Sequence, residues 1–284
     1  MKTLAAIILA LAPTFAFAEE ARVIRDIEYA KVDEISLSLD LHLPPAEIKA
    51  PLIIWIHGGA WRAGSKKSMP LKELVAEGHP VASVDYRLSP VAKFPAQIHD
   101  IKAAIRFLRA NGAEWKLPTE NIVIAGESAG AHLAALTGVT NGNAELEGTL
   151  GTHLKASSAI QGIISFYGAS DLTTILSQST PHGLSVRTPA LELLLGDLPD
   201  AAPDLARLAS PVYHIDKSDP PLLLFHGDRD PQMPINQSIQ LLGVYELAGC
   251  TASFHPVHGA AHGGKLFYDK ERLAIVREFL EQFR

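Results

Sequence analysis

Residues 122–133, Ile122-Val-Ile-Ala-Gly126-Glu127-Ser128-Ala129-Gly130-Ala131-His132-Leu133, constrain the fold of this chain more than any other stretch. An apolar run with strand character ends in Gly-x-Ser-x-Gly and passes directly into residues that favour helix. So abrupt a change from strand to helix carries the chain back past itself, and the positions flanking the turn must be small. Gly126 and Gly130 meet that need. The turn projects the Ser128 hydroxyl outward, the layout of a nucleophile elbow, and the Ala129 amide at the start of the helix points at any negative charge that develops there. A bare Gly-x-Ser-x-Gly arises by chance in roughly one chain in ten of this length. Its meaning depends on the rest of the sequence.

The rest repeats one rhythm. Ile35 to Leu43 alternates apolar and polar residues, the period of a half-buried antiparallel strand, and Pro44-Pro45 stops it. Val23 to Tyr29 is the candidate partner. Leu52 to Ile56 is a continuous apolar run between Pro51 and Gly58-Gly59, as expected of a strand covered on both faces, and Val81 to Tyr86 repeats it. Ile98, Ile101, Ile105 and Leu108 then mark one face of a helix that Gly112 ends. Strand-like runs at 122–125, 160–167, 222–225 and 251–257 alternate with helical patterns, among them a helix around 239–247. Leu273, Val276, Leu280 and Phe283 give the last helix. This is the signature of an α/β fold: a mostly parallel sheet with antiparallel N-terminal strands and helices on both faces. Residues 170–219, rich in Pro, Ser, Asp and Leu with only a short helical pattern, break the rhythm. They read as an excursion over the top of the sheet that shapes the substrate pocket.

The N-terminus reads differently. Lys2, an apolar run from Leu4 to Ala12 and Ala16-Phe17-Ala18 before Glu19-Glu20 give residues 1–18 the form of a cleaved secretory signal, too short to span a membrane. A buried N-terminal strand or helix is the plainer alternative. The expected organisation is a signal peptide over 1–18 and one domain over 19–284, placed in the periplasm or secreted. A net charge of -6 without a basic patch argues against nucleic acid as a partner, and no other apolar segment argues for stable membrane insertion. The single cysteine, Cys250, cannot form an internal disulfide. Nothing in the sequence bears on oligomeric state.

Reactive groups in an open α/β sheet gather at the C-terminal ends of the strands. Ser128 follows one strand run; Asp228 and Asp230 follow the Leu222 run; His262 follows the last. The order Ser, Asp, His suits a hydroxyl nucleophile, a base that takes and returns its proton, and a carboxylate that orients the base. Asp230 lies past the strand end, where it can reach sideways. Asp228 sits where turn hydrogen bonds are the commoner role, so Asp230 is the preferred acid. His255, His258 and His262 have spacings a helix would align for a metal, but Pro256, Gly259 and Gly263-Gly264 oppose a helix there, so no metal and no cofactor is expected. His57-Gly58-Gly59-Ala60-Trp61 follows the Leu52 run. Its glycines let backbone N–H groups approach a substrate, making Gly59 and Ala60 candidate oxyanion donors beside Ala129, although a glycine pair is also an ordinary strand-ending turn. Trp61 and Arg62, next in sequence, are candidate substrate contacts. Glu127 is a candidate for orienting neighbouring loops.

Taken together, His57 to Gly64, Asp85-Tyr-Arg-Leu-Ser-Pro90, Phe94 to Asp100, Gly126 to Gly130, His226 to Pro234 and His262-Gly-Gly resemble the α/β-hydrolase esterases of the hormone-sensitive-lipase-like clan. Within that clan the chain looks most like bacterial feruloyl and acetyl xylan esterases. The resemblance runs from about Ile35 to the C-terminus. It implies the α/β-hydrolase fold, a triad of Ser128, Asp230 and His262, and oxyanion donors at Gly59, Ala60 and Ala129. Lipase-like relatives often carry a third glycine where Ala60 stands. It further implies a serine esterase, a carboxylic-ester hydrolase acting through an acyl-enzyme on acetyl, feruloyl or short acyl esters, small or polysaccharide. The His-Gly-Gly-x-Trp run is also similar to that of kynurenine formamidases, an amidohydrolase alternative that the N-terminal signal argues against because those enzymes are cytosolic. A non-catalytic α/β-hydrolase binding module is a third reading, opposed by the presence of all three triad residues. With few residues before the first core strand, no helical cap is expected, leaving a pocket open to bulky substrates.

Overall fold

The computed structural model describes residues 21–45 and 47–284, so the segment read as a secretory signal lies outside the described residues. Among these residues, eight strands make one sheet: β1 (Arg22–Val32), β2 (Ile35–Leu43), β3 (Leu52–Ile56), β4 (Val81–Val84), β5 (Ile122–Glu127), β6 (Gly162–Phe166), β7 (Leu222–Gly227) and β8 (Ala252–Val257). The helices are α1 (Lys72–Ala76), α2 (Ala96–Asn111), α3 (Ala129–Gly138), α4 (Ala144–Glu147), α5 (Ile175–Gln178), α6 (Pro181–Leu195), α7 (Pro203–Leu208), α8 (Asn236–Ala248) and α9 (Lys270–Glu281). Strand order is β1-β2-β4-β3-β5-β6-β7-β8. β1 pairs antiparallel with β2, and β2 with β4; the other neighbours are parallel. The α/β architecture read from the sequence, with antiparallel N-terminal strands, is the one observed.

Alternation along the parallel strands divides the core in two. Leu52, Ile54 and Ile56 of β3 pack with Ile98, Ile101 and Ile105 of α2 and with α3 and α8, whereas Ile53 and Trp55 pack with α1 and with Leu273, Val276 and Leu280 of α9. Both faces are therefore covered, which is why β3 is apolar throughout rather than alternating. From β3 the chain moves to β4 on one side and then crosses to β5 on the other. The direction of winding reverses at β3, and a crevice opens beyond the C-terminal ends of β3 and β5. Register places Ile56 opposite Gly126, so the loop after β3 and the turn after β5 begin side by side.

The 170–219 excursion departs from expectation. It is helical over α5, α6 and α7, and α6 alone runs for 15 residues. The apolar period of α6 is disguised because its buried face includes Gly183 and Arg187, and because Pro189 sits inside the helix.

Gly130 fixes how close α3 comes to the sheet. A Cβ at this position would lie 2.1 Å from the Ile56 carbonyl oxygen and 2.5 Å from that of His57. Both are backbone atoms that cannot swing aside. Alanine gains about 1 kcal/mol over glycine inside a helix, but overpacking of this kind costs about 1–3 kcal/mol. Gly130→Ala is therefore expected to be net destabilising in urea unfolding. A stabilised variant would show that the contact yields freely.

Candidate active site

Ser128 sits between β5 and α3 at φ 51° and ψ -118°, a left-handed conformation seldom adopted by a residue with a side chain. Its amide donates to the Phe166 carbonyl at 2.9 Å. Ala60, Trp61 and Tyr167 also have positive φ, so four of the seven such non-glycine residues among the described residues cluster beside the crevice. Strain gathers where a fold must aim groups against local preference.

The structure brings Ser128, His262 and Asp230 into one chain of hydrogen bonds. His262 Nδ1 lies 2.7 Å from Asp230 Oδ2, and Nε2 lies 2.8 Å from Ser128 Oγ. A carboxylate only accepts, so Nδ1 carries the proton and the Nε2 lone pair faces the serine hydroxyl. The Asp230 side chain is fully buried, and its Oδ1 accepts from the Gln232 and Met233 amides, each at 2.8 Å. Burial opposes its charge, but hydrogen bonds from His226, His262 and the Met233 amide outweigh burial and hold this carboxyl well below the usual range. Asp228 faces elsewhere, accepting from His258 Nδ1 at 2.9 Å and from the Gly259 amide at 2.7 Å, and so closes the turn after β8. His255 lies within β8 against Phe225. Among the described residues, no group of three His, Cys, Asp or Glu side chains is placed to hold a metal ion.

Above Ser128 lies an open cleft of about 280 Å³, lined by residues that include Gly59, Ala60, Glu127, Tyr167, Gln232 and His262. Among the described residues, no backbone carbonyl accepts from the amides of Gly59, Ala60 or Ala129. Gly59 has φ 115°, and a Cβ there would meet the Ala63 carbonyl oxygen at 2.1 Å, so only glycine permits this path. Residues 170–219 do not line the cleft, contrary to expectation. The excursion braces the acid loop instead: Arg187 of α6 donates to the Gln232 carbonyl at 2.9 Å, and Thr180 donates to that of Pro231 at 2.5 Å.

The family-model comparison identifies a BD-FAE domain over residues 39–244. The chain belongs to the BD-FAE family. The matched span contains Ser128 and Asp230 and stops short of His262. This BD-FAE chain is 31% identical over 228 residues to Esterase LipC of Mycobacterium tuberculosis, covering 75% of the chain and 55% of that protein. It spans about half the length of the first curated relatives it matches. Among solved structures, it is similar to a truncated carbohydrate esterase from gut microbiota at 32% identity and a TM-score of 0.81, over 94% of this chain and 98% of that one. It is also similar to the thermophilic esterase Est2 of Thermogutta terrifontis at 27% identity and a TM-score of 0.73, over 93% and 92%.

The structure places the two candidate substrate contacts away from the cleft lining. Trp61 is fully buried, because successive left-handed residues at 60 and 61 turn its ring inward. Its Nε1–H donates to His132 Nδ1 at 3.1 Å. Arg62 is half-buried and does not line the cleft. Sequence reasoning also missed His226, a polar residue ending the apolar run of β7. Its Nε2–H donates to the Met233 carbonyl at 3.0 Å and lies 3.4 Å from Asp230 Oδ2, while Nδ1 accepts from Ser238 Oγ at 2.7 Å. Arg187 left no signal in the sequence. Lys66 ties the loop after β3 to the N-terminal hairpin: its amide donates to Asp85 Oδ1 at 2.6 Å, and Nζ lies 2.7 Å from Asp26 Oδ1 and 3.5 Å from Asp40 Oδ1.

His132 joins three segments: α3, Trp61, and the Ala209 carbonyl, to which Nε2 lies at 2.6 Å. Trp Nε1 only donates, so Nδ1 accepts and Nε2 carries the proton; the ring is neutral. Burial lowers its pKa from 6.5 to about 4, offset only in part by the Ala209 carbonyl. Between those values the unfolded chain takes up a proton that the folded chain refuses, so stability falls as pH falls through this window. The group contributes about 3 kcal/mol to that loss. His42, His57 and His79, each lowered by burial, act in the same direction. Urea unfolding at pH 7.5 and pH 5 is expected to show a smaller loss in His132→Gln than in the parent chain. Equal losses would contradict the neutral, buried state.

Proposed function

We propose that this chain is a serine carboxylic-ester hydrolase with Ser128 as nucleophile, His262 as general base and acid, and Asp230 as the carboxylate that orients and charge-balances His262. The observation that carries the reading is the continuous Asp230–His262–Ser128 relay, at 2.7 and 2.8 Å, opening onto a cleft edged by unengaged amides. Ser128 Oγ attacks the ester carbonyl carbon as its proton passes to His262 Nε2. The carbonyl oxygen becomes an oxyanion between the Gly59, Ala60 and Ala129 amides. The C–O bond to the alcohol then breaks, and His262 returns the proton to the leaving oxygen. Water, deprotonated by His262, attacks the acyl-Ser128, releasing the carboxylic acid and restoring the serine. His262 Nε2 thus carries one proton in each half-reaction, the serine's to the departing alcohol and then the water's back to Ser128 Oγ.

For the substrate we favour acetyl, feruloyl or other short acyl esters of carbohydrates, small or polymeric. Two features support this reading: the open cleft, and the likeness at TM-score 0.81 to a protein described as a carbohydrate esterase. Residues 1–18 support an exported, periplasmic or secreted location.

Initial rates on p-nitrophenyl acetate, butyrate and octanoate, methyl ferulate and acetylated xylan, with Ser128→Ala as the blank, test the proposal. Activity on acetate, ferulate or xylan esters is expected, falling at least about 1,000-fold in Ser128→Ala. The variant is expected to unfold like the parent, since losing one hydroxyl at the cleft floor leaves no cavity. Turnover retained in Ser128→Ala would overturn the assignment, and a preference for octanoate would overturn the substrate class.

A further inference from the structure

The residues lining the cleft include one formally charged side chain, that of Glu127 next to the proposed nucleophile; the Asp230 side chain is fully buried behind His262. Glu127 is held from two sides. Its Oε2 accepts from the Tyr167 hydroxyl at 2.7 Å and from the Tyr268 hydroxyl at 2.9 Å. Tyr167 is itself wedged edge-on against the His262 ring, with centroids 4.9 Å apart. Among the described residues, no hydrogen bond reaches Oε1. The site therefore presents a fixed carboxylate with one oxygen unused, one residue from the reacting hydroxyl. A structural tie between two loops needs only Oε2.

An acetyl group has no hydrogen to donate, and the phenol of a feruloyl group lies at the far end of its ring from the ester. A donor that reaches an oxygen beside Ser128 therefore comes from the alcohol half of the substrate. Building on the ester-hydrolase reading, we infer that Glu127 selects that alcohol: Oε1 accepts a hydrogen bond from a hydroxyl neighbouring the ester of a neutral polyol, and the carboxylate disfavours alcohols that carry an acid group. Hydrogen bonds to a charged acceptor are stronger than neutral ones, and like charges placed together in a cleft act against binding.

The test compares the parent chain with Glu127→Gln on three esters: p-nitrophenyl acetate, a monoacetylated methyl xyloside, and the corresponding monoacetylated methyl glucuronide with a free carboxylate. In the parent, kcat/KM for the xyloside is expected to exceed that for the glucuronide by roughly tenfold or more. That preference is expected to narrow about tenfold in Glu127→Gln, and the ratio of xyloside to p-nitrophenyl acetate to fall. Raising salt from about 20 mM to about 0.5 M is expected to narrow the preference in the parent and not in the variant. The salt arm decides the matter even if the variant fails to fold. Equal efficiency on the two sugars in the parent, or a preference unmoved by both salt and substitution, overturns the role of Glu127 while leaving the hydrolase reading intact. Failure of the parent on all three esters, p-nitrophenyl acetate included, overturns the hydrolase reading itself.

Discussion

Everything at the crevice depends on how closely α3 is drawn against the end of β3. Gly130 has backbone carbonyls where a side chain would be, and the Gly126 Cβ position is equally blocked, 2.4 Å from the Gly130 oxygen. With no side chains between them, the turn after β5 and the loop after β3 meet backbone to backbone. The Ser128 hydroxyl on one element and the Gly59 and Ala60 amides on the other then share a single small volume. Hydrophobic burial holds the two layers together, but it is non-directional and could not set this distance. The absence of two methyl groups does.

The second requirement is a carboxylate that stays ionised out of water. A buried charge is costly unless hydrogen bonds replace its lost hydration. For Asp230 the replacements come from two amides of its own loop, from His262, and from the nearby His226 imidazole. That loop is in turn gripped by α6 through Arg187 and by Thr180 just before it. The excursion that breaks the βα rhythm therefore braces the Asp230 loop from behind the cleft. It holds the loop of the carboxylate that hydrogen-bonds His262 rather than lining the cleft.

Much of this was legible in the sequence, for reasons that can be named. Strands covered on both faces write continuous apolar runs, so β3, β5, β6 and β7 are visible, and a Gly-x-Ser-x-Gly between such a run and a helix marks the turn. Asp228 and Asp230 separate because a residue at the strand end meets its own turn, whereas one beyond it can reach another loop. What escaped depends on side-chain direction and partner identity. Trp61 follows a glycine pair at the crevice, yet two left-handed residues swing it into the core, and no local pattern announces that. α6 hides because a buried arginine occupies its apolar face. The pairing of Arg187 with the Gln232 carbonyl spans 45 residues of sequence and leaves no periodic trace.

The central claim is that Ser128 owes its reactivity to His262 as oriented by Asp230. The most direct measurement is the rate at which a fluorophosphonate probe labels the intact protein, followed by mass spectrometry and mapped to a peptide, in the parent, Asp230→Asn and Asp228→Asn. The account predicts a single adduct on Ser128, formed about 100-fold or more slowly in Asp230→Asn and at close to the parental rate in Asp228→Asn. An adduct on any other residue, or slowing in Asp228→Asn with Asp230→Asn unaffected, would contradict it.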